Sequence, residues 1–238
     1  MFFLGFANTL GFDRYYGRTE FNYDEEFDGS WGIWDEPFLQ YTKSVLDKQK
    51  TPFLSSVFTI TSHEPYVIPS AYEGKFDTGH IPMHQCVGYT DNALRQFFKE
   101  SKSAPWFEDT IFIFTADHGN QTHFPFYEQT VNRFANPLMI FKHNSTLNGV
   151  DMRLASHMDI FPTVADLIVY TKPFKSWGRS LVSDQEYHPF VINYFSGGSY
   201  FFMDENLICV YNGNKAIGFY SVDAVSYTHL RAHETLRY

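Results

Sequence analysis

Cysteine is scarce: Cys86 and Cys209 are the only two in 238 residues. Two thiols are too few for a disulfide framework, and no Cys pair has zinc-ligand spacing. Long apolar runs are missing as well, and no stretch approaches the roughly 18–20 residues that span a bilayer. Positive charge is in deficit, with 18 Lys and Arg against 27 Asp and Glu and a net charge of −9. That balance argues against a nucleic-acid partner, which would ask for a basic face. An anionic substrate would instead need local positive charge, most economically a metal ion. The first residues lack the basic region and small-residue cleavage site of a signal peptide. Neither an internal repeat nor a low-complexity linker occurs.

What is present is a globular composition, with 44% hydrophobic and 19% charged residues, and a heavy load of aromatics (26 Phe, 16 Tyr). Helical periodicity runs over 35–48, with Asp35 as the expected N-cap and Pro37 in the first turn. It returns over 84–101, where Val87, Asp91, Leu94 and Phe98 share a spacing, and over 158–169. Strands are expected at 52–60, 110–116 and 136–141, and the uninterrupted apolar run of 110–116 reads as a strand buried on both faces. Alternating strands and helices predict an α/β fold with a doubly wound, mainly parallel central sheet flanked by helices. From about 190 onward short strands and an Asn-Gly-Asn turn at 212–214 predict a small antiparallel part. The expected division is 1–188 as a partial catalytic domain, 189–224 as a C-terminal part of the same unit, and 225–238 as a tail foreign to the fold.

The run "TIFIFTADHGNQTH" (110–123) stops being apolar at Asp117-His118-Gly119. In open α/β sheets, ligands sit beyond the carboxyl ends of strands, where this pair falls. Adjacent residues serve one site only if the chain leaves the strand between them, a turn that Gly119 permits. A carboxylate oxygen beside an imidazole nitrogen suits Zn²⁺ or Mn²⁺, able to activate an oxygen nucleophile and screen a phosphate or sulfate. An isolated Asp-His-Gly is better explained by a loop cap or a structural hydrogen bond; the buried strand before it and its companion motifs reverse that reading.

Those companions are "WGIWDEPFL" (31–39), "PFLSSVFTITSHEPYVIP" (52–69), "YTDNALRQFF" (89–98), "WFEDTIFIFTADHG" (106–119), "RFANPLMIF" (133–141) and "SHMDIFPTVADL" (156–167). Together, in this order, they resemble the alkaline phosphatase–sulfatase superfamily, and within it the lipoteichoic acid synthase-like branch, over roughly residues 10–185. The resemblance implies a metal-dependent transferase or hydrolase of phosphate or sulfate esters. It also implies a lipid-linked substrate, a site outside the cytoplasm, and membrane association through a segment missing at the N-terminus. It gives Asp117 and His118 as metal ligands, for Mn²⁺ first, with Zn²⁺, Mg²⁺ or Ca²⁺ as alternatives, and His63 as the contact to the substrate head group. Trp31, Asp35, His157 and Asp159 fall in recurring motifs and read as structural, while His123 lies near Asp117 with no motif to give it a role.

The family's nucleophile and a further acidic ligand lie upstream of "WGIWDE", and nothing here matches either; the Cys-x-Pro-x-Arg signature of sulfatases is absent too. The chain therefore reads as a C-terminal portion of a catalytic domain, expected to be inactive alone. Two alternatives stay open: an arylsulfatase-type hydrolase, and a non-catalytic domain that binds envelope glycan through its aromatics.

Overall fold

The computed structural model describes residues 2–222 except 130, 147, 185 and 186. In chain order the helices are α1 (Phe2–Thr9), α2 (Arg18–Phe21), α3 (Asp35–Leu46), α4 (Met83–Ser101), α5 (Pro125–Glu128) and α6 (Ile160–Leu167). The strands are β1 (Ile111–Thr115) and β2 (Leu138–Lys142), then β3 (Val191–Ser196), β4 (Ser199–Met203), β5 (Leu207–Tyr211) and β6 (Ala216–Ser221). Two compact units divide the chain: residues 1–117 with 136–146, and residues 118–135 with the chain from 147 on. Among the described residues no helix is long and apolar enough to cross a membrane. The tail at 225–238 lies outside the described residues.

The first unit is built on α3 against α4. Leu39 and Leu46 of α3 meet Ala93 and Phe97 of α4, with Trp106 and Phe107 closing the cluster. The buried stripe of α4 is Cys86, Tyr89, Ala93, Phe97 and Ser101, the spacing of three and four that a helix needs to keep one face inward. It is displaced from the expected Val87–Asp91 line. Val87 stays exposed, and Asp91 pairs with Arg95 on the surface at 2.7 Å. A stripe counted from apolar residues misses a seam made of Cys, Tyr, Ala and Ser.

β1 and β2 pair in antiparallel register, Ile113 opposite Ile140. Among the described residues no parallel ladder forms, which departs from the mainly parallel sheet expected. An apolar run does not encode pairing direction; the connection does. A parallel return usually crosses over on a helix, whereas among the described residues between β1 and β2 the only α-helix is the four-residue α5. The expected strand at 52–60 also lies outside every ladder. Its apolar side chains largely face solvent, with Leu54 at 77% exposure. The Ile60 amide at its end is engaged by a side chain instead of a neighbouring strand.

The second unit carries the antiparallel part that the sequence predicts, a four-stranded meander β3-β4-β5-β6. Gly197 and Gly198, at φ +56° and +78°, make the tight turn between β3 and β4, a conformation that glycine adopts without Cβ strain. Between β5 and β6 the Asn212 Oδ1 accepts from the amides of Asn214 and Lys215, so the Asn-Gly-Asn turn stands as read. Phe201 and Ile208 face inward and close over Val131, with Phe134 alongside. The α/β class with a small antiparallel C-terminal part is therefore what the chain adopts.

Candidate functional site

The loop holding His63 is fixed from three directions. Asp35, expected as the N-cap of α3, is instead its first residue, and its carboxylate is turned aside and buried at 2% exposure. Oδ1 accepts from the amides of Ile60 (2.8 Å) and Thr61 (3.2 Å), and Oδ2 accepts from the Thr90 hydroxyl (2.5 Å). The Asp35 amide donates back to Thr61 Oγ1 at 3.3 Å. Downstream, the buried Cys86 thiol donates to the Val67 carbonyl, and burial pushes its pKa up to about 11, with the charge of Asp35 adding to the shift. Beyond that, the Tyr72 hydroxyl donates to Glu36, and this bond, with burial behind it, raises the phenol to about 12.

Trp31 supplies the wall. Asp28 Oδ1 collects the amides of Ser30, Trp31 and Gly32, holding the segment in a tight turn. The indole nitrogen donates to the Glu64 carbonyl at 2.8 Å, and the ring lies 4.0 Å from the His63 ring, centroid to centroid. His63 Nδ1 lies 3.2 Å from the same carbonyl. A carbonyl oxygen only accepts, so Nδ1 carries the proton and the neutral ring has its lone pair on Nε2. Trp31 thus does more than pack: it touches the histidine that the sequence singles out.

β1 ends at Thr115 and the chain bends at Asp117, so the face alternation of a strand does not extend to this pair. Asp117 closes the first unit and His118 opens the second. Both are exposed. His118 Nδ1 lies 2.9 Å from the Gly119 carbonyl, which by the same reasoning assigns its lone pair to Nε2. A ring nitrogen tied to a carbonyl is a common feature of metal-ligating histidines. Carboxylate oxygen and imidazole nitrogen are each donor types that divalent cations accept. Among the described residues no group of three or more His, Cys, Asp or Glu is arranged to hold a metal ion.

In the second unit, Asp159 is a structural node, as read. Its Oδ2 accepts from the Ser156 amide at 2.8 Å and its Oδ1 from the Arg179 amide at 2.9 Å. The Thr163 hydroxyl donates to the Asp159 carbonyl and accepts from the Leu181 amide, strapping 178–181 onto the start of α6. His157 is exposed beside this node. His123 is exposed too, edge-on to Phe124 at 5.2 Å.

Residues 4–170 match the sulfatase family. A lipoteichoic acid synthase-like protein of Bacillus subtilis, YvgJ, is 30% identical over 116 residues, 47% of this chain and 19% of that protein. The lipoteichoic acid synthase of Staphylococcus saprophyticus is 26% identical over 191 residues, 73% of this chain and 30% of that protein. Among solved structures, a protein of the alkaline phosphatase superfamily from Vibrio parahaemolyticus superposes with a TM-score of 0.73 at 28% identity, over 88% of this chain and 51% of that one. The chain thus spans less than a third of the curated relatives it matches. With its family motifs in order and more than half its length matched, this chain belongs to the sulfatase family.

Proposed function

We propose that this chain is part of a phosphoglycerol-type transferase or phosphodiesterase that depends on a divalent metal and works on cell-envelope esters outside the cytoplasm. The carrying observation is the exposed Asp117-His118 pair just past β1, with His118 Nδ1 2.9 Å from the Gly119 carbonyl. The names of the synthase relatives add support. Asp117 and His118 Nε2 would hold the cation, Mn²⁺ before Zn²⁺, Mg²⁺ or Ca²⁺. When bound, it would supply the positive charge that polarises a phosphoryl or sulfuryl oxygen and that a chain of net charge −9 otherwise lacks.

The chain's own residues orient the substrate. The Nε2 lone pair of His63 accepts a hydrogen bond from a head-group hydroxyl, and the Trp31 ring 4.0 Å away fixes the imidazole from one side. No residue here matches the family's nucleophile, so this chain alone is expected to give no turnover. The test is Mn²⁺ binding by the full chain, read from the loss of the free-ion paramagnetic signal. Wild type should bind weakly, since two protein ligands fall short of the usual four to six. Asp117→Ala and His118→Ala should each abolish binding, and retention by both variants would remove the metal reading.

A further inference from the structure

We infer that Asp35 is the positioning residue for the His63 loop, acting through the backbone of Ile60 and Thr61. The inference rests on the proposed reading of His63 as a substrate contact. Residues 53–60 pair with no strand, so the loop beginning at Thr61 has no ladder to define it. Trp31 and Cys86 hold it further on, at Glu64 and Val67, but its start is defined by one buried carboxylate. It engages the Ile60 and Thr61 amides on one oxygen and the Thr90 hydroxyl of α4 on the other. Those three donors are neutral, so no cation competes for the carboxylate. Ile60 then passes the register onward, because its carbonyl accepts from the His63 amide at 3.0 Å and the His63 carbonyl accepts from Tyr66 at 3.0 Å. The histidine ring is brought under Trp31, whose own segment begins the turn into α3. Asp35 thus ties the α3–α4 core to the imidazole without touching it.

Amide exchange and the His63 ring resonances of the full chain test this. In wild type the Ile60 and Thr61 amides should be protected despite lying in no ladder, and the His63 ring protons should be displaced by the Trp31 ring current. Asp35→Ala should speed exchange at those two amides by about tenfold or more. Amides of the Leu46–Phe97 core should stay slow, and His63 should move toward the position of a free histidine. Asp35→Asn keeps an oxygen that accepts both amides and should restore most of the wild-type pattern. Leu46→Ala, a core truncation, should lower the melting temperature without moving His63.

Unchanged exchange and unchanged His63 resonances in Asp35→Ala overturn the inference, as does an equal displacement of His63 by Leu46→Ala. If Asp35→Ala does not fold, the wild-type measurement still decides, because unprotected Ile60 and Thr61 amides would overturn the inference alone. A separate titration with glycerol phosphate follows the same resonances. If His63 fails to respond in wild type, the substrate reading falls while the exchange data still report on the anchoring by Asp35.

Discussion

Three side chains give consequences at the scale of single residues. Tyr72 donates its phenol proton to Glu36, and that bond raises its pKa from 10 to about 12. A pKa raised in the fold means stability that is present below pH 10 and lost as pH climbs through 12. Tyr72→Phe should cost about 1 kcal/mol at neutral pH and flatten the loss of stability over that alkaline window, checked by urea unfolding at several pH values. Cys86 is fully buried with its thiol pushed up to about 11, so at pH 8 it is almost wholly protonated. A disulfide-exchange reagent should label Cys209 first and Cys86 only on unfolding; fast labelling of both would contradict the packing around α4. Gly178 has no room for a side chain, since a Cβ there would sit 2.0 Å from the Met158 carbonyl oxygen. That neighbour is backbone and cannot swing aside. Gly178→Ala should therefore pull the 178–181 strap off α6 and destabilise by about 3 kcal/mol, measured by thermal melting.

At the scale of elements, the C-terminal meander is stabilised by burying one of its two faces. Phe201 and Ile208 are almost wholly inaccessible, and the Phe134 ring lies 5.5 Å from that of Phe201. The other face keeps Tyr194, Tyr200 and Phe202 in contact with solvent. Since packing is one-sided, the strands depend on few anchors. Truncating Ile208→Ala removes a side chain with no solvent access and should cost about 3 kcal/mol, by the transfer and cavity terms of a core deletion. Tyr200→Ala, on the exposed side of the same sheet, should cost less than about 1 kcal/mol. Denaturant midpoints of the two variants compare them directly, and equal losses would mean that the sheet is not packed as described.

For the molecule as a whole, the prediction concerns turnover. The chain carries the strand-end pair and the histidine loop, and by the expectation drawn from its motifs it lacks the nucleophile. Under the proposed function it should therefore show no hydrolysis of a chromogenic phosphodiester or sulfate ester with added Mn²⁺. A longer protein that includes this chain should hydrolyse the phosphodiester and lose that activity on Asp117→Ala. Metal-dependent turnover by this chain alone would mean that it holds a nucleophile of its own. Preference for the sulfate ester by the longer protein would move the reading to the sulfatase alternative.

Local chemistry was legible in the residues themselves. The helical spacing of 35–48, the apolar run that becomes β1, the Asn-Gly-Asn turn and the exposed Asp117-His118 step past the strand all follow from propensities acting over a few neighbours. The family motifs added His63, which spacing alone would not have singled out. The tertiary structure decided what depends on distant partners. It set the antiparallel pairing of β1 with β2, because direction is a property of the connection. It left 53–60 outside any ladder and shifted the buried stripe of α4 onto Cys86, Tyr89 and Ala93. It also turned Asp35 from a local cap into an anchor for amides 25 and 26 residues away and a hydroxyl 55 residues away. A carboxylate in sequence shows only that it accepts hydrogen bonds; which donors reach it is fixed when the chain closes around it.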